Sequence, residues 1–144
     1  MESKPTVKLT SFHLAGIIPV AGHKHDFGFQ WDNVMMPIAE NYTALERSVM
    51  ECAYAGCETI WIVCNEDIQP LIRHRLGEMV QDPVWYGRTL SVKPEEHRKQ
   101  IPIYYVPIHP KDRDRVECYA WSILHGANVA YWVSRQMSVW VTPD

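Results

Sequence analysis

Short, continuous runs of apolar residues recur along the chain and predict its β-strands. The first run occupies residues 14–20, the second residues 59–63 and the third residues 101–108. Consecutive rather than alternating apolar positions are typical of strands buried on both faces, as in a parallel sheet. Two prolines in the third run indicate an irregular strand or one near an edge. A shorter run at residues 137–141 predicts a final strand.

Amphipathic segments between these runs predict helices. Thr43 and Glu46 form a Thr-x-x-Glu capping box, and apolar residues follow at helical spacing until Gly56, a residue that favours helix ends. A second helix is expected to begin at Asn65 or Asp67, with a proline in its first turn. Its apolar stripe is predicted to comprise Ile68, Leu71, Ile72, Leu76 and Met79.

The longest predicted helix begins at Asp112 or Asp114, because carboxylates near a helix N-terminus interact favourably with the helix dipole. The helical spacing of apolar residues continues to about residue 134. The stripe that we expect to face the core consists of Val116, Tyr119, Ala120, Ile123, Leu124, Ala127 and Tyr131.

The order of these elements predicts a single α/β domain over residues 1–144. A β-α-β-α unit at residues 14–80 is followed by a polar excursion at residues 81–100 and a β-α-β unit at residues 101–144. Strands that alternate with helices favour a mostly parallel sheet with flanking helices. Ligands of such sheets bind beyond the carboxyl ends of the strands. Four stretches are then expected to form the site, namely residues 21–36, 64–67, 109–115 and 142–144.

Composition and charge exclude several classes of protein. A chain of 144 residues, 47% of them hydrophobic, is typical of one globular domain. The net charge of −3 provides no basic field for nucleic acid, and no apolar run approaches the roughly 20 residues of a membrane span. Residues 1–8 lack the apolar centre of a signal peptide. With four cysteines and no Cys-x-x-Cys pair, we expect a reduced, cytoplasmic protein with buried structural thiols.

The first half of the chain resembles a known superfamily. Strand 14–20 runs into Ala21-Gly22, a Met-Met-Pro-Ile segment follows at residues 35–38, and the first helix ends in Ala55-Gly56 before strand 59–63. This pattern resembles the start of the sugar-nucleotide pyrophosphorylases, that is, the nucleotidyltransferase superfamily, and it also resembles uncharacterised phage-encoded proteins. The resemblance implies a three-layer, Rossmann-like fold and transfer of a nucleotidyl group to a sugar phosphate with Mg²⁺.

The resemblance also implies roles for individual residues after the strand ends. Lys24, Asp26 and Asp32 become the candidate catalytic residues, and Asp26 with Asp112 would bind the metal. Backbone N–H groups and basic side chains are the groups that bind phosphate. The candidate phosphate or substrate contacts are Ala21, Gly22, His23, His25, Asn65, His109, Arg113 and Arg115.

The chain departs from the family pattern at the positions that carry its chemistry. The Gly-x-Gly-x-Arg loop is replaced by residues 21–29, in which only Gly22 and Gly28 remain and Lys24 is the one cation. The family's Pro-Lys stretch is replaced by residues 30–34, which contain no lysine. These departures leave the fold better supported than the activity.

Two alternatives from other functional classes follow from the sequence. Six tryptophans and seven tyrosines are many for this length and favour a non-catalytic binding or assembly module, partnered by itself or by another protein through an aromatic surface. That surface requires its tryptophans to be exposed together, the candidates being Trp31, Trp85, Trp132 and Trp140. A metal-dependent hydrolase built on His23, His25 and His109 is the other alternative.

Overall fold

A computed structural model describes residues 13–22, 33–83, 100–115 and 118–141, with the backbone alone at positions 113, 115 and 137–141. These residues form an α/β structure with a mixed, mostly parallel sheet. In chain order the strands and helices are β1 (Ala15–Pro19), β2 (Pro37–Ala39), β3 (Tyr42–Thr43), α1 (Ala44–Tyr54), β4 (Thr59–Asn65), α2 (Gln69–Leu76), β5 (Met79–Gln81), β6 (Gln100–Ile108) and α3 (Tyr119–Val141).

The main sheet has the strand order β1-β4-β6-β5. β1, β4 and β6 are parallel, with Ile17 opposite Trp61 and Trp61 opposite Tyr104, whereas β5 is antiparallel to β6. The predicted α/β class and the mostly parallel pairing are therefore confirmed. β5 pairs only with the first residues of β6. Pro107 therefore lies on a part of β6 that has no described strand on the side away from β4, as expected for a proline in a strand.

Alternation along the strands divides the core between the two faces of the sheet. One face packs against α1 and α2, and the other packs against α3. In β4, for example, Ile62 faces α1 and α2 while Trp61 and Val63 face α3. The five central residues of β4 are buried on both faces, which accounts for the continuous hydrophobic run in its sequence.

The first helix has the predicted ends. The Thr43 hydroxyl accepts a hydrogen bond from the Glu46 backbone N–H at 3.3 Å, and the Glu46 carboxylate accepts one from the Thr43 N–H at 2.7 Å. Gly56 follows the helix with φ +86°, a conformation that residues with a Cβ rarely adopt. Both signals are local, so the sequence predicted them correctly.

Two short β elements occupy stretches that the sequence assigned otherwise. The hairpin β2–β3 directly precedes α1, where the sequence indicated no strand. Its two-residue turn contains Asn41 with φ +54°, and asparagine in that position was the available signal. Met79 belongs to β5 and is exposed, so its predicted place in the apolar stripe of α2 is wrong. The N-cap of α2 is Ile68, which makes no side-chain capping hydrogen bond, rather than Asn65 or Asp67.

The last helix differs from its prediction at both ends. Residues Pro110–Arg115, which include Asp112 and Asp114, form a 3-10 turn, and α3 begins only at Tyr119. α3 continues to Val141, so the predicted strand at residues 137–141 is wrong. A five-residue segment with four apolar residues fits a strand or a helix equally well, and no proline interrupts the helix before its end.

The face that α3 presents to the sheet is also not the predicted one. Ser122, Gly126 and Ala130 are buried against the sheet, flanked by partly buried valines. Of the predicted stripe, Tyr119, Ala120, Ile123, Leu124 and Tyr131 are exposed instead, and Ala127 is only partly buried. Small residues allow the helix to approach the sheet closely, and the larger apolar side chains consequently lie on its flank and outer face.

Candidate functional site

The carboxyl ends of the parallel strands meet at one edge of the sheet, as the element order predicted. Ala21 and Gly22 follow β1, Asn65 ends β4, and His109 follows β6. The Asn65 amide donates to the Ala21 carbonyl at 3.4 Å, which ties the ends of β1 and β4 together. Asn65 lies opposite Ile108 in the sheet, so His109 comes directly after its neighbour. Of the predicted contact residues, the structure brings these four to one edge.

Asn65 has unused hydrogen-bonding capacity at this edge. Its Oδ1 atom is buried and has no hydrogen-bond partner among the described residues. A buried amide oxygen without a partner costs free energy, so an N–H or O–H donor at this position is favourable. The edge therefore contains an acceptor suited to a sugar hydroxyl or a base amino group.

His109 has a local structural role in addition to its position at the edge. The backbone N–H of Lys111 donates to its Nδ1 at 3.2 Å, and the N–H of Asp112 donates to its carbonyl at 2.9 Å. These bonds shape the 3-10 turn and leave Nε2 as the ring nitrogen for a further contact. The other described ionisable side chains of these loops are one cation and several carboxylates, namely Lys111, Glu66, Asp67, Asp112 and Asp114.

Most of the predicted chemistry falls on parts that the structure does not describe. His23, Lys24, His25, Asp26 and Asp32 lie outside the described residues. Arg113 and Arg115 are placed by their backbone only. Within the described ranges, no three His, Cys, Asp or Glu side chains are grouped to hold a metal ion. The catalytic and Mg²⁺-binding roles therefore stay predictions, as does the histidine-based hydrolase.

A second candidate surface lies on α3, where sequence reasoning expected core. The outer surface of this helix exposes large apolar side chains, including Leu124 at 69%, Tyr131 at 60% and Trp132 at 53% of their area. The 23 residues of α3 contain no Asp, Glu or Lys, and Arg135 is their one arginine. Solvated faces of helices normally carry charged residues. This face is therefore unusual for a surface in contact with water.

An open apolar cavity adjoins that face. It measures about 600 Å³ and lies between β1 and α3, lined on the strand side by Ala15 and Ile17 and on the helix side by Ala127 and Tyr131. His13, Ala130, Ser134 and Arg135 complete the lining. β1 has β4 on one side and no paired strand on the other among the described residues. The strand edge, the cavity and the flank of α3 thus form one continuous surface.

A hydrogen-bonded chain of side chains lies at the amino end of β4. His13 Nδ1 is 2.7 Å from the Glu58 carboxylate, and His13 Nε2 is 2.9 Å from the Thr59 hydroxyl. This order of acid, imidazole and hydroxyl is that of nucleophilic enzymes. However, Thr59 is not among the residues that line the cavity, and its hydroxyl also accepts from the Trp61 indole N–H at 2.9 Å. These hydrogen bonds therefore hold residue 13 against β4.

The tryptophans expected on an aromatic surface are only partly described. Trp132 is exposed, as that hypothesis requires. Trp31 and Trp85 lie outside the described residues, as does the side chain of Trp140.

Comparison with known proteins adds no relationship: no family model, curated protein or solved structure matches the chain. Among the helices that the structure describes, none is long and apolar enough to cross a bilayer.

Proposed function

We propose that this chain is a binding or assembly module that docks a protein partner on the outer face of α3. The observation that carries the proposal is the exposure of Leu124, Tyr131 and Trp132 on a helix with one formally charged residue. Exposed apolar patches of this kind mark interaction surfaces in soluble proteins. Tyrosine and tryptophan are also the residues that anchor interfaces most often.

These side chains leave apolar area in contact with water, which a partner can cover. Removing apolar surface from water stabilises a complex by about 25 cal/mol per Å². Aromatic residues each contribute about 150–250 Å² when completely buried. Tyr131 and Trp132, whose rings lie 5.8 Å apart in an edge-to-face arrangement, form a preassembled pair for such burial. A partner that covers the pair gains this free energy.

Site-specific photo-crosslinking in the cells that produce the protein tests the proposal. A photoreactive phenylalanine analogue replaces Tyr131, and a matched control replaces Tyr54 of α1, which is 63% exposed on the opposite side of the sheet. We expect a discrete crosslinked species from position 131 and none from position 54. Equal crosslinking from both positions, or none from position 131, contradicts the proposal.

We also infer that the fold belongs to the Rossmann-like group and is a divergent relative of the nucleotidyltransferase fold. Three parallel strands in the order β1-β4-β6, joined through α1 and α2 on one face of the sheet and covered by α3 on the other, support the inference. The same arrangement occurs in other doubly wound proteins, so the resemblance of residues 14–80 carries the narrower assignment.

A second candidate function is the binding of a nucleotide or sugar phosphate at the carboxyl edge. The buried, unpartnered Oδ1 of Asn65 supports it, because that atom lies where ligands of such sheets bind. His109 at the same edge has Nε2 available. Lys24 and the carboxylate of Asp26 would supply the cation and the metal ligand that the resemblance implies. Mg²⁺, when bound, neutralises phosphate charge.

A thermal-shift panel of nucleoside triphosphates, each with and without Mg²⁺, tests this second function. A ligand at about 100 times its Kd adds roughly 2.7 kcal/mol to the free energy of unfolding. We expect a Mg²⁺-dependent rise in Tm with one nucleotide, reduced in Asn65→Leu and in Lys24→Ala but retained in Tyr131→Glu. A panel without any shift at millimolar nucleotide contradicts it.

A further inference from the structure

We propose that the partner on α3 is a second copy of this chain, related by a two-fold axis perpendicular to the sheet beside β1. The two β1 strands then run antiparallel, edge to edge, and the two α3 helices pack side by side above them. This inference rests on the proposed docking function of α3 and identifies its partner.

The first support is the edge of β1 that no described strand pairs with. The Val20 N–H donates to the Val63 carbonyl, and the Leu14 carbonyl accepts from the Glu58 N–H, each at 2.8 Å. These even-numbered residues therefore direct their backbone polar groups toward β4. Because successive residues of a strand alternate, Ala15 and Ile17 direct theirs away from β4, to the side without a described strand. An exposed edge of this kind is a template for pairing with another strand.

The register of that pairing is restricted by Pro19, which has no N–H to donate. A two-fold axis at Ile17 places each Ile17 opposite the same residue of the second copy, so the two exchange a pair of backbone hydrogen bonds. The Ala15 N–H of each copy then donates to the Pro19 carbonyl of the other copy. This hydrogen bond does not need the N–H that proline lacks. Pro19 thus fits this register, in which it serves only as an acceptor.

The second support is the position of the exposed stripe relative to that edge. Ala120, Leu124, Ala127 and Tyr131 follow one another at intervals of four, three and four residues, the spacing of a helix–helix contact. Ala127 and Tyr131 line the cavity together with Ala15 and Ile17, so this flank of α3 lies on the β1 side. One two-fold rotation therefore covers the strand edge and the helix flank together. Ala120 and Ala127, which alternate with the bulkier Leu124 and Tyr131, allow the two α3 helices to approach each other closely.

Charge disfavours a membrane surface as the occupant of this face. Amphipathic helices that bind membranes carry lysines and arginines along their polar face. α3 has one arginine and no lysine, and the chain as a whole has a net charge of −3. Two such chains repel each other at long range. Because the contact face carries almost no charge, like charges are not brought together when the two copies associate.

The flank of α3 supplies part of the area that a stable dimer requires. Tyr131 is 60% exposed and Leu124 69%, and an aromatic residue contributes about 150–250 Å² when completely buried, so these two provide on the order of 200 Å² per copy. A standard interface buries about 800 Å² per partner. The β1 edge and the rim of the cavity supply the difference. The cavity of about 600 Å³ is then the space that side chains of the second copy fill.

Sedimentation velocity of the purified chain over the micromolar range tests the inference. We expect a species of twice 16.7 kDa that dissociates on dilution. Tyr131→Glu and Leu124→Glu should each raise the dimer Kd by at least about 30-fold, as loss of an interface hot spot does. Tyr54→Glu, the same change at an equally exposed tyrosine, should leave the Kd unchanged, and circular dichroism should show all three variants folded.

Backbone hydrogen exchange tests the strand pairing separately. The Ile17 amide should exchange slowly at concentrations where the dimer forms and rapidly in Tyr131→Glu. Rapid exchange of Ile17 within a dimer overturns the proposed two-fold arrangement, and so does a dimer that survives both charged variants.

A monomer at high micromolar concentration overturns the second copy as partner. If position 131 nevertheless crosslinks in cells to a protein of different mass, the docking function of α3 stands and only its partner is wrong. A monomer without any crosslink from position 131 contradicts both proposals.

Discussion

Gly126 of α3 faces Val63 of β4 so closely that a Cβ atom on the glycine would lie 2.6 Å from Val63 Cγ2. The same Cβ would lie 3.0 Å from Ile17 Cγ2 of β1. A glycine within a helix costs about 1 kcal/mol relative to alanine. The close approach explains its presence, because any larger residue would push α3 away from both strands. This contact also determines which face of α3 is buried.

Gly126→Ala should therefore lower the free energy of unfolding, by about 1–3 kcal/mol as overpacked core substitutions do, despite the gain in helix propensity. Chemical denaturation measures the change. Gly22→Ala is the control, since its Cβ would meet no atom within 4 Å among the described residues. If Gly126→Ala instead increased stability, the distance of α3 from the sheet would not depend on this glycine.

The capping box at the start of α1 predicts a second effect on stability. Thr43→Ala should destabilise the fold by about 0.5–2 kcal/mol, because it removes the hydroxyl that accepts from the Glu46 N–H. Urea denaturation at neutral pH measures this change. Ser48→Ala, which alters a hydroxyl of the same helix outside the box, should have a smaller effect. Equal effects of the two substitutions would contradict the importance of the cap.

The carboxylate of the same box predicts how stability depends on pH. Burial by itself would raise the pKa of Glu46, but hydrogen bonds from Thr43 and the guanidinium of Arg75 outweigh it and lower that pKa below 4.5. Arg75 lies 3.2 Å from the carboxylate and also donates to the Asn41 carbonyl at 2.7 Å. A lowered pKa means that the carboxylate stabilises the fold above its unfolded pKa and loses this contribution as pH falls through the folded one.

Denaturation from neutral pH down to pH values below the folded pKa of Glu46 should therefore show a steeper loss of stability in the wild type than in Glu46→Gln. Glu51→Gln on the same helix is the matched control. Glu51 forms an exposed pair with Arg47 at 2.9 Å, and such solvent-screened pairs contribute little to stability. A wild-type profile that coincides with that of Glu46→Gln would refute the role of this carboxylate.

The four cysteines should differ strongly in reactivity. Cys118 is exposed, whereas Cys57 and Cys64 are buried. Burial raises the pKa of Cys52 to about 11, and neighbouring Cys57 adds to this shift. Because the thiolate is the reactive form, Cys52 should stay unreactive up to about pH 9. A thiol reagent should thus label one cysteine rapidly, and Cys118→Ser should abolish that fast phase. Persistence of the fast phase in this variant would be inconsistent with the burial of Cys57 and Cys64 and the raised pKa of Cys52.

Ser122 predicts a substitution that increases stability. It is buried between α3 and the sheet, and its hydroxyl has no hydrogen-bond partner among the described residues. Ser122→Ala removes an unsatisfied polar group and improves helix propensity, so the free energy of unfolding should rise by about 1 kcal/mol. Thermal and urea denaturation measure this change. A loss of stability would show that the hydroxyl has a partner.

The location of the carboxyl-edge site followed from the order of strands and helices, but its contacts did not. Ala21, Asn65 and His109 were expected at one edge because parallel strands end on the same side. The bond from Asn65 to Ala21 joins residues far apart in the chain, and only the register of β1 against β4 brings them together. The same holds for His13, whose partners Glu58 and Thr59 no local pattern indicates.

The sequence by itself determined the features that depend on near neighbours. The strands at residues 14–20 and 59–63, the capping box at Thr43 and Glu46 and the end of α1 at Gly56 all rest on interactions within a few residues. The helical periodicity of α3 was likewise visible. Only the tertiary structure decided which side of α3 is buried, because both sides are apolar and packing against β1 and β4 favours the side with the smallest residues. The larger apolar side chains are left on the surface for that reason.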